Sequence, residues 1–325
     1  MTLQPVDGIE ILVLVDNCLD SLSSVPKHVS LEWPRLMRNG MKELSGEAQC
    51  CANHGLSLLI TARRGTTSHV LMFDAGPEDY VLERNAPRLG VDFSSIESIV
   101  LSHGHWDHAG GLPAAVRLAV AARQGSPVKV HVHPGMFRQR ALTLATGAIL
   151  PIKAIPDPQL LGALGASVLS SDKPQLVLDD FFWISGEIPR VTAYEKGFPG
   201  HLRRSSDGGT WEPDPLIMDE RFLAVHVLDR GLVVFTACSH AGVVNVLTHA
   251  RESFPSIPLY AVAGGFHLSA ANEKIIPETV RDLASFNLGV IAPGHCTGWR
   301  ATHALVEKFG ENVVVPSAVG KTYTL

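Results

Sequence analysis

The sequence predicts an α/β fold, and three observations carry the prediction. Apolar runs of strand length alternate with Ala-, Val- and Leu-rich runs of helix length. Four strand-like runs end in glycine-bearing turns that contain histidine: Ser102 to Leu112, Ala237 to Gly242, Gly264 to Leu268 and Pro293 to Gly298. The first of these turns packs His103, His105, Asp107 and His108 into the pattern H-x-H-x-D-H. In layered α/β folds, functional side chains gather on the loops that follow the strands.

The elements read in order as follows. Ile9 to Val15 is a first strand ending at Asp16-Asn17, and Ser21 to Glu47 is a long connection placed to cover a site. Gly55 to Ala62 and His69 to Phe73 form a hairpin around Arg63-Arg64-Gly65-Thr66, and Pro77 to Leu89 is a helix. Ser95 to Leu101 is the strand into the histidine-rich turn, and Pro113 to Ala122 is the helix after it. Val128 to His133 alternates cleanly as a strand, with His131 and His133 on one face. Residues 140–220 are less regular; 166–169, 175–178 and 182–185 are strand-like, and 197–215, rich in Gly and Pro, reads as a flexible excursion. Arg221 to Leu228 and Gly231 to Thr236 form a second hairpin, followed by a helix from Val243 to Ala250. Pro258 to Ala263 and Leu288 to Ala292 are strands around a helix at Glu278 to Ser285. The expected organisation is one domain over 1–325 carrying the 197–215 excursion.

Composition narrows the function classes. With 325 residues, 46% of them hydrophobic, the chain can build a sizeable core. A net charge of −5 gives no electrostatic reason to expect nucleic acid or an anionic membrane as partner. The five cysteines are scattered, with no C-x-x-C pair and no disulfide framework. Met1 to Asp7 is polar without a basic leader, and no apolar run reaches membrane-spanning length, so the expected location is the cytoplasm. A small-molecule substrate is the expected partner, with a homodimer open through the excursion.

Imidazole and carboxylate are ligands for zinc and similar divalent ions. Four such groups within six residues do not read as packing. His240, His267 and His295 extend the set at the three later strand ends. Cys238 and Cys296 read as small buried thiols beside it.

The stretch Ser102 to Leu112 resembles the signature of the metallo-β-lactamase superfamily, and the resemblance runs over most of the chain. It implies a four-layer αββα sandwich with two divalent metal ions at one edge, zinc first and manganese or iron as alternatives. It further implies that His103 and His105 hold one ion, Asp107 and His108 the other, and that His295 is the final ligand of the second. The strand ending Thr-Ala-Cys-Ser-His stands where relatives carry Thr-Gly-Asp. Either the bridge is water or hydroxide alone, or His240 serves one metal directly. His267 is either a further ligand or a catalytic group facing substrate, and Asp107 both holds metal and orients the nucleophile. Asp74, in Asp74-Ala75-Gly76, is expected to support the ligands from behind.

A narrower resemblance rests on Asp16-Asn17, His54 to Ser57, His133-Pro134, Gly186 to Arg190, Cys238 to Gly242, Gly265 to Leu268 and Gly294 to Gly298 in this order. The chain is similar to the 7,8-dihydropterin-6-yl-methyl-4-(β-D-ribofuranosyl)aminobenzene 5′-phosphate synthase subfamily. That implies a pocket lined by His54, His133, Glu187 and Arg190, with Arg190 pairing with phosphate or carboxylate. The expected activity is hydrolysis of a phosphodiester, thioester or lactone by a metal-activated hydroxide. The alternatives are a synthase or lyase on a pterin-type or other phosphorylated substrate, and a non-catalytic metal-bound ligand-binding protein.

Overall fold

Alternation along the strand Gly8–Val15 builds two apolar layers at once. Ile9, Ile11 and Val13 enter one buried cluster, whereas Leu12, Leu14 and Val15 enter another on the opposite face. The computed structural model describes residues 2–325, so Met1, the first residue of the polar N-terminal stretch, lies outside them.

An eight-stranded sheet runs in the order Ala166–Ser170, Val128–Val132, Ile96–Val100, Thr67–Phe73, Ser57–Arg64, Gly8–Val15, Thr322–Thr324, Val29–Ser30. Its first four strands are parallel and the rest antiparallel. A seven-stranded sheet runs Gln175–Val177, Phe182–Ile184, Leu223–Val227, Gly231–Thr236, Leu259–Gly265, Val290–Gly294, with Pro5–Val6 alongside Leu223–Val227.

Three apolar clusters separate four layers. Ile11, Ile60 and Phe73 of the first sheet meet Phe182, Val225 and Phe235 of the second in a central core. The helices Asp79–Arg88 and Leu112–Ala122 cover the outside of the first sheet through Val81, Leu82, Leu112 and Val116. Val243–Ser253, Ile276–Leu283 and Trp299–Phe309 cover the second through Val246, Leu247, Leu283, Ala301 and Leu305. Helices therefore sit on both outer faces of two packed sheets, as expected for the αββα sandwich.

Two expectations change. The 197–215 segment is not a loose excursion. His201–Arg204 and Trp211–Pro213 pair with Arg140–Thr143 and Ile149–Ile152 in a third, four-stranded antiparallel sheet. Its strands are short and mostly half-exposed, so they carry no clear alternation of apolar residues. The 21–47 connection, expected to cover a site, instead carries the strand Val29–Ser30 and the helix Glu32–Arg38. Leu36 packs in the outer helical layer, and Arg35 is 2.7 Å from Glu10.

No helix among the described residues is long and apolar enough to cross a membrane. His69 ties adjacent strands and a distant loop, with Nδ1 2.9 Å from Glu97 and Nε2 3.1 Å from Asp179. Burial alone would lower its pKa, but the two carboxylates outweigh it and the net shift is upward. Stability from a raised histidine pKa is fully present below the unfolded value of about 6.5 and is lost as pH rises through the folded value. We expect His69→Gln to cost more stability at pH 5.5 than at pH 8.5, by roughly 0.5–1 kcal/mol for this partly exposed pair. Melting curves of both proteins at the two pH values check this.

Candidate metal centre

The strand ends that carry the predicted residues converge from both large sheets. Asp74 follows Thr67–Phe73, the H-x-H-x-D-H turn follows Ile96–Val100, and the segment 238–240 follows Gly231–Thr236. His267 follows Leu259–Gly265, and His295 follows Val290–Gly294. Asp74, Ser239, His267 and His295 all turn the chain through the left-handed region, with φ of 59°, 54°, 44° and 48°. Such residues cost free energy and collect at functional sites. Gly110 and Gly111 let the motif lie against the neighbouring turn. A Cβ on Gly110 would stand 1.7 Å from the Pro77 carbonyl oxygen, and one on Gly111 2.2 Å from that of Ala75.

Two groups of donors form, His103/His105/His240 and Asp107/His108/His295 with Cys238, each with its ligand atoms within 4.8 Å of one another. His103 Nε2 and His105 Nδ1 are 3.0 Å apart, and His108 Nε2 and His295 Nε2 are 3.2 Å apart. Asp107 Oδ2 lies 3.3 Å from His295 Nε2. Cys238 also joins His240 and His267 in a third overlapping group.

The outer nitrogens fix the tautomers that turn lone pairs inward. Ser102 Oγ donates to Asp74 Oδ2 at 2.7 Å, which leaves the Ser102 hydroxyl oxygen to accept His103 Nδ1–H at 2.9 Å. His108 Nδ1–H donates to the same Asp74 oxygen at 2.7 Å, and His295 Nδ1–H to Asn17 Oδ1 at 3.0 Å. Asp74, fully buried, also accepts the Ser102 backbone N–H at 2.7 Å. These are the outer-shell bonds that orient metal-binding imidazoles.

The donor set fits a divalent cation. His240 is buried, yet neither of its ring nitrogens has a partner. An unpartnered buried polar group costs about 1–3 kcal/mol, which an ion would remove. Burial pushes His103, His105 and His240 well below the usual histidine pKa, so they are neutral. For His108, burial is outweighed by Asp107 and Asp74, and the pKa rises to about 10. Asp107 is held well below the carboxylate range because His108 and His295 outweigh its burial. A positive charge is thus favoured between Asp74 and Asp107, where a cation would take the proton's place.

The groups floor a cavity of about 470 Å³, walled by Trp106, Leu142, Ile152 and Phe198. His54 and His267 line it, and His54 Nε2 is 3.5 Å from Asp107 Oδ2. Three predicted pocket residues do not. His133 Nδ1 accepts the Gly135 N–H at 3.0 Å and so closes its own turn. Glu187 is exposed. The Arg190 guanidinium is taken up by the carbonyls of Ile188 and Leu216, so it is not free to pair with substrate.

Sequence reasoning missed His201. It is buried on the small sheet, and its Nε2 is 3.0 Å from His105 Nε2. His201 Nδ1–H donates to the Asp214 carbonyl at 2.8 Å, so Nε2 is left to accept from His105. Burial pushes its pKa down to about 4, which keeps it neutral. The chain Asp214–His201–His105 therefore directs the His105 Nδ1 lone pair toward His103. The one signal was a histidine after Phe198-Pro199-Gly200 in a segment set aside as flexible. We expect His201→Ala to weaken the ion held by the first group about 10-fold or more. His201→Gln, whose carbonyl can still accept, should restore part of it; competition with a chromophoric chelator measures both.

Residues 53–165 match the model of the metallo-beta-lactamase superfamily. The 7,8-dihydropterin-6-methyl-4-(β-D-ribofuranosyl)-aminobenzene-5′-phosphate synthase of Methanocaldococcus jannaschii is 29% identical over 264 residues, 80% of this chain and 86% of that protein. An uncharacterized protein of the same organism is 27% identical over 77% of this chain and 86% of its own. Among solved structures, Tm1679, named as a metal-dependent hydrolase of the beta-lactamase superfamily, superposes with a TM-score of 0.69 over 98% of both chains at 22% identity. That similarity speaks to fold alone. The expected hydrolysis is corrected by the curated relative, which is named as a synthase.

Proposed function

We propose that this chain, which has the metallo-β-lactamase fold and resembles that superfamily, is a metal-dependent synthase joining a pterin-type substrate to a phosphorylated aromatic amine. The observation that carries the reading is the match to the archaeal synthase over 80% of this chain and 86% of that one. The cavity supports it. Trp106 and Phe198 offer flat aromatic walls for a planar heterocycle, with imidazoles below.

In this reading the amine nitrogen attacks the pterin's 6-methylene carbon. The carbon–oxygen bond to a phosphorylated leaving group breaks, its electron pair departs with the oxygen, and the nitrogen loses a proton. Two divalent ions, zinc first and manganese or iron as alternatives, would take up the charge on the departing oxygen. His103, His105 and His240 would hold one, and Asp107, His108 and His295 the other. Among the described residues no Lys or Arg lines the cavity, so the ions would be the cationic receptor for phosphate charge there. His267, whose Nδ1 is unpartnered, takes the amine proton, and His54 contacts substrate at the mouth.

The test incubates the metal-loaded protein with the diphosphate ester of 6-hydroxymethyl-7,8-dihydropterin and 4-(β-D-ribofuranosyl)aminobenzene 5′-phosphate. The joined product should be seen by mass spectrometry. No product above a protein-free control with zinc, manganese or iron(II) would sink the reading.

A further inference from the structure

Asn17 is bonded at every position its amide offers, and this decides where a neighbouring ring carries its hydrogen. We infer that Asn17 is a positioning residue that holds His54 with its hydrogen on Nε2, from which it donates to a phosphate oxygen of the substrate's leaving group. The inference deepens the proposed synthesis and rests on a phosphorylated substrate entering this cavity.

Two segments meet here. The strand Gly8–Val15 delivers Asp16 and Asn17, and Asp16 Oδ1 accepts the backbone N–H of Asn17 at 2.6 Å and of His295 at 3.2 Å. The segment that carries His54 is clamped onto the H-x-H-x-D-H turn. Leu56 N–H donates to the Asp107 carbonyl at 3.3 Å, and a Cβ on Gly55 would stand 2.4 Å from that oxygen. Glycine at 55 thus permits the close approach.

Four contacts fix the amide. Asn17 Oδ1 accepts the Gly55 backbone N–H at 3.1 Å and His295 Nδ1–H at 3.0 Å. A backbone N–H can only donate, so the amide oxygen and nitrogen cannot be exchanged. Asn17 Nδ2 therefore gives one hydrogen to the His295 carbonyl and the other to His54 Nδ1, each at 3.1 Å. A ring nitrogen that accepts carries no hydrogen, so the hydrogen of His54 lies on Nε2.

That hydrogen is unspent. Asp107 Oδ2 lies 3.5 Å from His54 Nε2, beyond ordinary hydrogen-bond length, and faces His295 Nε2 at 3.3 Å. The His54 side chain is 55% exposed and lines the cavity, so a ligand can reach its N–H. Neighbouring donors are committed: Asn17 has given both amide hydrogens, and Ser269 gives its hydroxyl hydrogen to the Cys296 carbonyl at 3.1 Å. A phosphate beside the Asp107/His108/His295 group would meet this N–H, in a hydrogen bond strengthened by the charge on its acceptor. The hydrogen stays on His54 throughout.

The test uses zinc-loaded protein at about pH 8.5, where a free histidine is neutral, and inorganic pyrophosphate, the leaving group of the proposed reaction. Two-bond ¹H–¹⁵N spectra of the histidine rings, with His54 identified by its loss in His54→Gln, should place the hydrogen on Nε2 in wild type. In Asn17→Asp the side chain still accepts from Gly55 and His295 but can no longer donate, so the His54 hydrogen should move to Nδ1. By calorimetry, pyrophosphate should bind about 10-fold or more weakly to His54→Phe and to Asn17→Asp. Asn17→Asp should cost little more once residue 54 is Phe. A wild-type hydrogen on Nδ1, or a ring unchanged in Asn17→Asp, would overturn the positioning role, and so would fully additive losses in the double variant. Equal pyrophosphate affinity in wild type and His54→Phe would overturn the donor while leaving the synthase reading intact. No pyrophosphate binding by wild type would overturn the phosphorylated substrate, and the donor role with it.

Discussion

Asp74→Asn is expected to give a folded protein that holds metal only in the His103/His105/His240 group. The Asp74 carboxylate accepts the Ser102 N–H, the Ser102 hydroxyl and His108 Nδ1–H, each at 2.7 Å and out of water. An amide of the same shape still accepts the Ser102 N–H. Its NH₂ faces His108 Nδ1, however, which must then accept and carry its hydrogen on Nε2. That hydrogen points where the lone pair is needed, so affinity at this group should fall 10- to 100-fold or more. Asp74→Ala is harsher. It leaves three buried donors unpartnered and should cost about 3–5 kcal/mol, lowering the melting point by roughly 5–15 °C. Elemental mass spectrometry of both variants, beside melting curves, separates the lost ion from the lost fold. Unchanged metal content in Asp74→Asn would refute the tautomer argument.

Stripping the metal should abolish synthesis altogether. Dialysis against a chelator is expected to bring product formation to the protein-free background, and zinc, manganese or iron(II) to restore it. The folded state alone presents the converged donors, so ions should also raise the melting point, by about 4 kcal/mol of stabilisation at 1,000 times the dissociation constant. His240→Ala should fold as well as the stripped wild type, because the side chain removed had unpartnered ring nitrogens. It should fail to regain activity when ions return. Recovery of full activity in His240→Ala would show that the first group is not the reacting centre.

The alternating and apolar stretches made most of the layered fold legible. Each strand that delivers a donor is apolar enough to stand out, and each turn after it carries glycine beside histidine. Side-chain direction was less legible. Arg190 was placed in the pocket because it lies in a resembling motif, yet two carbonyls claim its guanidinium. The small sheet was lost for a different reason. Half-exposed strands of three or four residues give too few positions for a period to show. His201 was lost with it.

The small sheet touches the centre at two points. Arg140 Nη2 donates to Asp219 Oδ1 at 2.6 Å, Asp219 Oδ2 accepts the Gly104 N–H at 2.9 Å, and His201 meets His105. Leu142, on the same sheet, lines the cavity wall. Substrate pressing on that wall therefore pulls on the ligand turn itself. An ion in the first group becomes a built-in gauge of occupancy. With cobalt(II) in that group, its spectrum should shift as the cavity fills, so a dead-end analogue could be titrated with no label on the substrate.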